Sequence, residues 1–238
     1  MKFYRPLSPI KAITFDLDDT LYDNYDVIRK TTQESHQFLQ NYHPDLRDFS
    51  LDAYQQLRDE LVIAEPDIWH DVTEWRRRTV EKAMRDIGLD AEKAEKGSRE
   101  VMQVFAHWRS QITVPAENHV ALAALAERWP LVAITNGNAE PHLFGIDHYF
   151  QFVLRAGPDG RAKPYQDMYC LAAQRLGISP AEMLHVGDDL TTDVAGSIRC
   201  GAQSCWINLR GDNLMHVADT RLLPHLEITQ LASLTALI

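Results

Sequence analysis

Ala12-Ile13-Thr14-Phe15-Asp16-Leu17-Asp18-Asp19-Thr20-Leu21 passes from an apolar, β-branched run into three acids within four positions. Residues 10–15 carry one charge, Lys11, and read as a buried parallel strand covered on both faces. Ligands of open α/β sheets bind outside the carboxyl ends of the strands, where Asp16 and Asp18 fall. Carboxyl groups this close repel one another unless a cation or a shared proton joins them. The plainer alternative is a solvated acidic turn, since acids are ordinary turn residues.

Beyond Leu21 the texture changes. From Tyr22 to Thr113 the chain is polar and charged, with helical period and no strand signal. Helices are expected near Val27–Gln40, Leu51–Ala64, His70–Ile87 and Ala91–Gln111, with breaks at His43-Pro44, Glu65-Pro66 and Gly88. The third carries an apolar stripe of Val72, Trp75, Val80, Ala83, Met84 and Ile87. From Val114 onward strands and helices alternate. Strands are expected at Leu131–Thr135, Phe152–Arg155, Met183–Val186 and Ser204–Ile207, and a last strand and helix from Ile228 to Leu237. Helices are expected at Ala116–Arg128, Tyr165–Leu176 and Leu190–Arg199. This alternation predicts an α/β fold: a Rossmann-like, doubly wound parallel sheet core with an inserted four-helix-bundle cap. The expected division is residues 1–21 and 114–238 for the core and 22–113 for the cap.

The bulk numbers bound the function. The 238 residues can form a substantial core, and the formal net charge of −10 argues against nucleic-acid or membrane partners, which are held by basic patches. It leaves room for an anionic small molecule, because a metal ion inverts the field locally. Cys170, Cys200 and Cys205 are odd in number and lack CxxC spacing, so they read as small buried hydrophobes. Met1-Lys2-Phe3-Tyr4-Arg5-Pro6 is too polar for a signal peptide, and no run approaches a membrane span, so a reducing, cytoplasmic setting is expected. A monomer or weak dimer is expected.

Four strand ends of one parallel sheet bring distant polar groups together: Asp16 and Asp18; Thr135-Asn136-Gly137; Lys163, in the loop after Gly160; and Asp188, Asp189 and Asp193. An acidic cluster, one lysine, a hydroxyl and small residues suit a hard divalent cation held beside a phosphate. Taken in order, these segments resemble the four signature motifs of the haloacid dehalogenase superfamily. DxDxT stands as Asp16-Leu17-Asp18-Asp19-Thr20, and the cap sits where that family places its type-one helical insert. The runs TFDLDDTLYDN, LVAITNGNA, FVLRAG and HVGDDLTTDV further resemble its flavin-pathway phosphatases. Those act on 5-amino-6-(5-phospho-D-ribitylamino)uracil and flavin mononucleotide (FMN) in riboflavin metabolism.

The resemblance implies a Mg²⁺-dependent phosphomonoesterase working through an aspartyl phosphate. Asp16 is then the nucleophile and Asp18 the acid and later the base. Lys163 pairs with Asp16 and the phosphate, and Thr135 together with the backbone of Asn136 and Gly137 donates to phosphate oxygens. Asp16, the Asp18 carbonyl and Asp188 hold the metal, while Thr20, Asp189 and Asp193 stand behind them. Asp193 either orients Lys163 or the metal shell, or is placed by a helix dipole alone. Candidate substrate-facing residues of the cap are Tyr22, Asp23, Asn24, Trp69, His70, Trp75 and Arg76, although Trp75 fits the apolar stripe and Arg76 a solvated face. The histidines show no ligand spacing and read as structural. The runners-up are a phosphatase of sugar phosphates or nucleotides, a phosphomutase or phosphonatase, and a non-catalytic phosphate-binding module. A haloacid dehalogenase uses the same ester but needs no metal and lacks the second acid of DxDxT, so Asp18 and Asp188 argue against it.

Overall fold

The structure is a computed structural model, and it describes residues 1–214, 216–218 and 221–238. The chain divides into two compact units, Met1–Asp23 with Thr113–Ile238, and Asn24–Ile112.

The first unit is built on seven strands: β1 (Lys2–Phe3), β2 (Ala12–Phe15), β3 (Leu131–Thr135), β4 (Phe152–Arg155), β5 (Met183–Gly187), β6 (Gln203–Ile207) and β7 (Leu226–Ile228). Their order across the sheet is β1-β7-β6-β5-β2-β3-β4. Every residue of β2, β3, β5 and β6 is buried, as a parallel sheet covered on both faces requires. β2 pairs in parallel with both β3 and β5, in registers Phe15↔Ala133 and Phe15↔Val186. The chain winds from β2 outward to β4 and then returns to β5 on the other side. The winding therefore reverses beside β2, and such a reversal opens a crevice at the carboxyl end of the strand.

The sheet departs from the expected all-parallel form at one edge, where β1 runs antiparallel to β7 in register Phe3↔Leu226. β1 has two exposed residues, too few to carry a periodic signal. The expected terminal strand begins at Leu226 and is followed by a 3₁₀ helix, Leu231–Leu237. The helices of this unit are α5 (Ala116–Arg128), α6 (Asp167–Leu176) and α7 (Gly196–Arg199). Residues 190–199 are not one α-helix: Leu190–Ala195 forms a π-helical turn before α7. The N–H groups of Asp193 and Val194 both donate to Asp189 O at 3.1 Å, which widens the turn and carries the Asp193 side chain inward.

The second unit holds α1 (Tyr25–Tyr42), α2 (Leu51–Ala64), α3 (Val72–Asp86) and α4 (Ala91–Arg109). Ser50, Asp71 and Asp90 accept backbone N–H groups at the starts of α2, α3 and α4. α4 packs on α1 and α3, and α3 on α2. Leu39, Leu46, Val80, Ala83, Met84, Ala94 and Val101 fill the space between them. Gly97 permits the close approach, since a Cβ there would stand 2.5 Å from Met84 Sδ. The first unit extends to Asp23, two residues past Leu21, because Tyr22 is buried within it and meets the Phe144 ring edge-on at 5.3 Å. No helix among the described residues is long and apolar enough to cross a membrane.

Candidate active site

Sheet pairing runs past the end of β2: Asp16 N donates to Val186 O at 2.9 Å, which fixes the Asp16 backbone against β5. A tight turn follows. Leu17 O accepts from Thr20 N at 3.3 Å and Leu21 N at 2.9 Å, and Asn118 Nδ2 ties Leu21 O at 2.9 Å. Asp19 closes this turn at φ +56°, a left-handed conformation that aspartate tolerates better than most residues. Asp18 sits inside it, half-buried and bridged to Tyr22.

Lys163 reaches the same point from the loop after β4. Its Nζ lies 2.6 Å from Asp16 Oδ1 and 2.6 Å from Asp193 Oδ1, with the lysine side chain 2% exposed. Asn136 clamps the lysine backbone from both sides, accepting from Lys163 N at 2.7 Å and donating to Lys163 O at 2.9 Å. Thr135 Oγ1 accepts from Gly137 N at 2.9 Å.

Asp193 is fully engaged. Oδ1 also accepts from His185 Nε2 at 3.2 Å, and Oδ2 accepts from Asp189 N at 3.1 Å. The Asp189 carboxylate is turned to Thr191 N and Thr192 N, at 2.8 and 2.6 Å, as the cap of the π-helical turn. Its backbone thus places Asp193 while its side chain holds the turn. Asp188 is gripped from two sides: Trp206 Nε1 donates to its carbonyl at 2.8 Å, and Thr20 Oγ1 to its Oδ1 at 3.4 Å.

Electrostatics decide what this cluster lacks. Burial drives the Asp16 carboxyl well up from its ordinary value, Asp193 and Asp18 add to this, and Lys163 opposes it. Burial also lifts Asp188 to about 7, with Asp193, Asp19 and Asp189 adding to it. Asp193 goes the other way: despite burial, Lys163 and His185 hold it ionised. For Lys163, burial is outweighed by Asp16 and Asp193, so the ammonium stays charged. Two carboxyl groups therefore stand in want of one more positive charge. Carboxylate oxygens of Asp16, Asp188 and Asp193 all lie within 4.8 Å of one another. An all-oxygen set of that span fits a hard divalent cation. Asp193 already accepts three hydrogen bonds against one each for Asp16 and Asp188, so Asp16 and Asp188 are the side chains that could hold it more readily. The Asp18 carboxylate is not in this set.

The haloacid dehalogenase-like hydrolase family matches residues 10–201. The chain belongs to that family. It is 60% identical, over the whole of both chains, to the 5-amino-6-(5-phospho-D-ribitylamino)uracil phosphatase YigB of Escherichia coli (strain K12). It is 25% identical to the N-acylneuraminate-9-phosphatase of Rattus norvegicus, covering 98% of this chain and 95% of that one. Among solved structures it resembles a 2-haloacid dehalogenase from Pseudomonas syringae pv. Tomato DC3000, with TM-score 0.90, 32% identity and coverage of 95% and 97%.

Within this haloacid dehalogenase-like hydrolase the sequence reading missed three groups. His185 is wholly buried at Asp193, and its signal was a lone polar ring in the apolar strand Met183–Gly187. The Asn136 side chain serves Lys163, where only its backbone was expected to act. Gly187 leaves room for Asp193, as a Cβ there would lie 2.3 Å from Asp193 Cγ. Two further readings are corrected. Cys170 is exposed and Cys200 half-buried, so of the three cysteines Cys205 alone is a core hydrophobe. Arg76 is not a solvated residue: its guanidinium lies 4.1 Å from the Phe105 ring centroid. Trp75 packs inside the helical unit, under the Arg58 guanidinium at 3.6 Å and donating to Arg58 O at 3.0 Å.

Proposed function

We propose that this chain is a Mg²⁺-dependent phosphomonoesterase that dephosphorylates 5-amino-6-(5-phospho-D-ribitylamino)uracil, and FMN as a second substrate, in riboflavin metabolism. The observation that carries the chemistry is Lys163 Nζ at 2.6 Å from both Asp16 and Asp193, with Asp188 beside them. The 60% identity to a phosphatase of that name supports the substrate.

Phosphate monoesters hydrolyse extremely slowly unaided, and a covalent intermediate divides the barrier. In this reading a carboxylate oxygen of Asp16 attacks phosphorus and the ester P–O bond breaks. Asp18 gives its proton to the leaving alkoxide, then takes one from the water that cleaves the aspartyl phosphate. Inorganic phosphate leaves and Asp16 is restored. Lys163 neutralises the carboxylate that the incoming anion must approach. Thr135 Oγ1 accepts from Gly137 N, which takes up that amide inside the loop and leaves the Thr135 proton as the one that would donate to a phosphate oxygen. Asp16, the Asp18 carbonyl and Asp188 would hold Mg²⁺, which supplies charge neutralisation of the phosphoryl group.

The test is steady-state hydrolysis by the purified chain, with and without Mg²⁺. Substrates are the ribitylaminouracil phosphate, FMN, sugar phosphates, nucleotides and a 2-haloacid. The ribitylaminouracil phosphate is expected to give the highest kcat/KM. A large advantage for sugar phosphates would overturn the substrate, and halide release without metal would overturn the reaction.

A further inference from the structure

Away from the acidic cluster, two thiols meet. Cys170 Sγ on α6 and Cys200 Sγ, just after α7, lie 3.3 Å apart although 30 residues separate them in sequence. We propose that Cys170 and Cys200 form a reversible dithiol–disulfide site, oxidised by a small disulfide such as glutathione disulfide.

The geometry needs little change. A disulfide requires roughly 2.05 Å between sulfurs, so the pair closes by about 1.2 Å. The two segments already abut: Gln166 Nε2 donates to Arg199 O at 3.0 Å, and a Cβ on Gly196 would stand 3.0 Å from Pro164 Cα. Access is open on one side only. Cys170 is exposed on a groove of about 680 Å³ that Arg161, Gln166 and Arg199 also line. Arg161 is held by Asp167 through Nε and Nη2 at 2.9 and 2.8 Å, so the exposed Arg199 is the cation that suits a carboxylate of a glutathione-type oxidant. Cys200 is half-buried, and burial together with its hydrogen bond to Cys170 pushes its thiol up to about 12.

This asymmetry sets the order of events, since the thiolate is the attacking species. The Cys170 thiolate attacks one sulfur of the oxidant, forming a mixed disulfide and expelling one glutathione thiolate, which takes up the Cys170 proton. The Cys200 thiol then loses its proton and attacks the Cys170 sulfur, expelling the second glutathione. Two protein thiols are oxidised and one glutathione disulfide is reduced to two thiols. The closed loop contains β5, Asp188 and Asp193, while neither sulfur belongs to the acidic cluster. Oxidation therefore staples the scaffold of that cluster without entering it.

The test treats the full chain with glutathione disulfide, followed by non-reducing peptide mapping and thiol titration under denaturing conditions. The expected result is a Cys170–Cys200 link, with the titre falling from three thiols to one and dithiothreitol restoring it. The melting temperature is expected to rise by roughly 5–10 °C, with hydrolysis of p-nitrophenyl phosphate within about twofold of the reduced protein. Cys200→Ser is expected to stop at a glutathione adduct on Cys170. A lasting adduct on Cys170 in the unaltered chain, a link between two copies, three unreacted thiols or a lowered melting temperature would each overturn the proposal.

Discussion

His185 Nε2 lies 3.2 Å from Asp193 Oδ1, the oxygen that also holds Lys163 Nζ at 2.6 Å. Asp193 is ionised and accepts only, so the imidazole proton resides on Nε2, and Thr14 Oγ1 donates to Nδ1 at 2.8 Å. Burial lowers the His185 pKa against the pull of Asp193, and the ring stays neutral. A chain of hydrogen bonds therefore runs from β2 through β5 to the lysine. His185→Phe should reduce kcat by roughly 10–100-fold with little change in KM. His185→Gln, whose amide can still donate, should recover most of the loss. Equal losses in the two variants would show that the ring matters for packing and not for Asp193.

Gly187 tests the same placement sterically. An added methyl would meet Asp193 Cγ at 2.3 Å and Oδ2 at 2.4 Å, and three hydrogen bonds keep that side chain from yielding. Gly187→Ala should cost roughly 1–3 kcal/mol of stability and most of the activity. Unfolding in urea and initial rates measure the two effects, and a fully active, fully stable Gly187→Ala would refute the packing argument.

Asp16→Asn should abolish turnover, by about 10⁴-fold or more, with circular dichroism unchanged. Lys163→Met is the harsher change, because it leaves Asp16 and Asp193 buried beside each other without their ammonium. It should destabilise the fold by roughly 3–5 kcal/mol. If Asp16→Asn hydrolyses phosphate esters at the parental rate, another group is the nucleophile.

Chelation tests the charge deficit of the cluster. Excess EDTA should reduce hydrolysis to background, and added Mg²⁺ should restore it. Asp188→Asn should raise the Mg²⁺ concentration for half-maximal rate by roughly 10–100-fold. Full turnover in EDTA would dismiss the metal.

His225 supplies a pH dependence outside the acidic cluster. It is 9% exposed, and its Nδ1 accepts from Ser204 N at 3.1 Å, which demands a neutral ring. Burial and then Arg5 lower its pKa to about 4. An unfolded histidine titrates near pKa ~6.5, so between the two values the unfolded chain binds a proton that the folded chain refuses. Stability should thus fall as pH drops from about 6.5 to about 4 and gain no further loss from this group below that. His225→Asn should flatten the slope of urea midpoint against pH across this window. An unchanged slope would remove His225 as its source.

Apart from β1 and the π-helical turn, the elements and the chemistry they carry are legible in the sequence. The run Ala12–Phe15 and the breaks at Pro44, Pro66 and Gly88 are local signals, set by side-chain period and turn stereochemistry. So is the delivery of Asp16, Thr135 and Asp188 to the ends of strands. Which groups meet is set by tertiary packing. Lys163 takes Asp193 as well as Asp16, Asn136 turns its side chain to the lysine backbone, and His185 stands behind Asp193. None of these pairings is written in a local pattern. They follow from β5 lying next to β2 in register Thr14↔His185, and from a π-helical turn that swings Asp193 inward. The same holds for Cys170 and Cys200, whose meeting depends on how the first turn of α6 packs against the end of α7. Long-range neighbours are chosen by strand order and helix packing, and those depend on burial across the whole unit and not on any one segment.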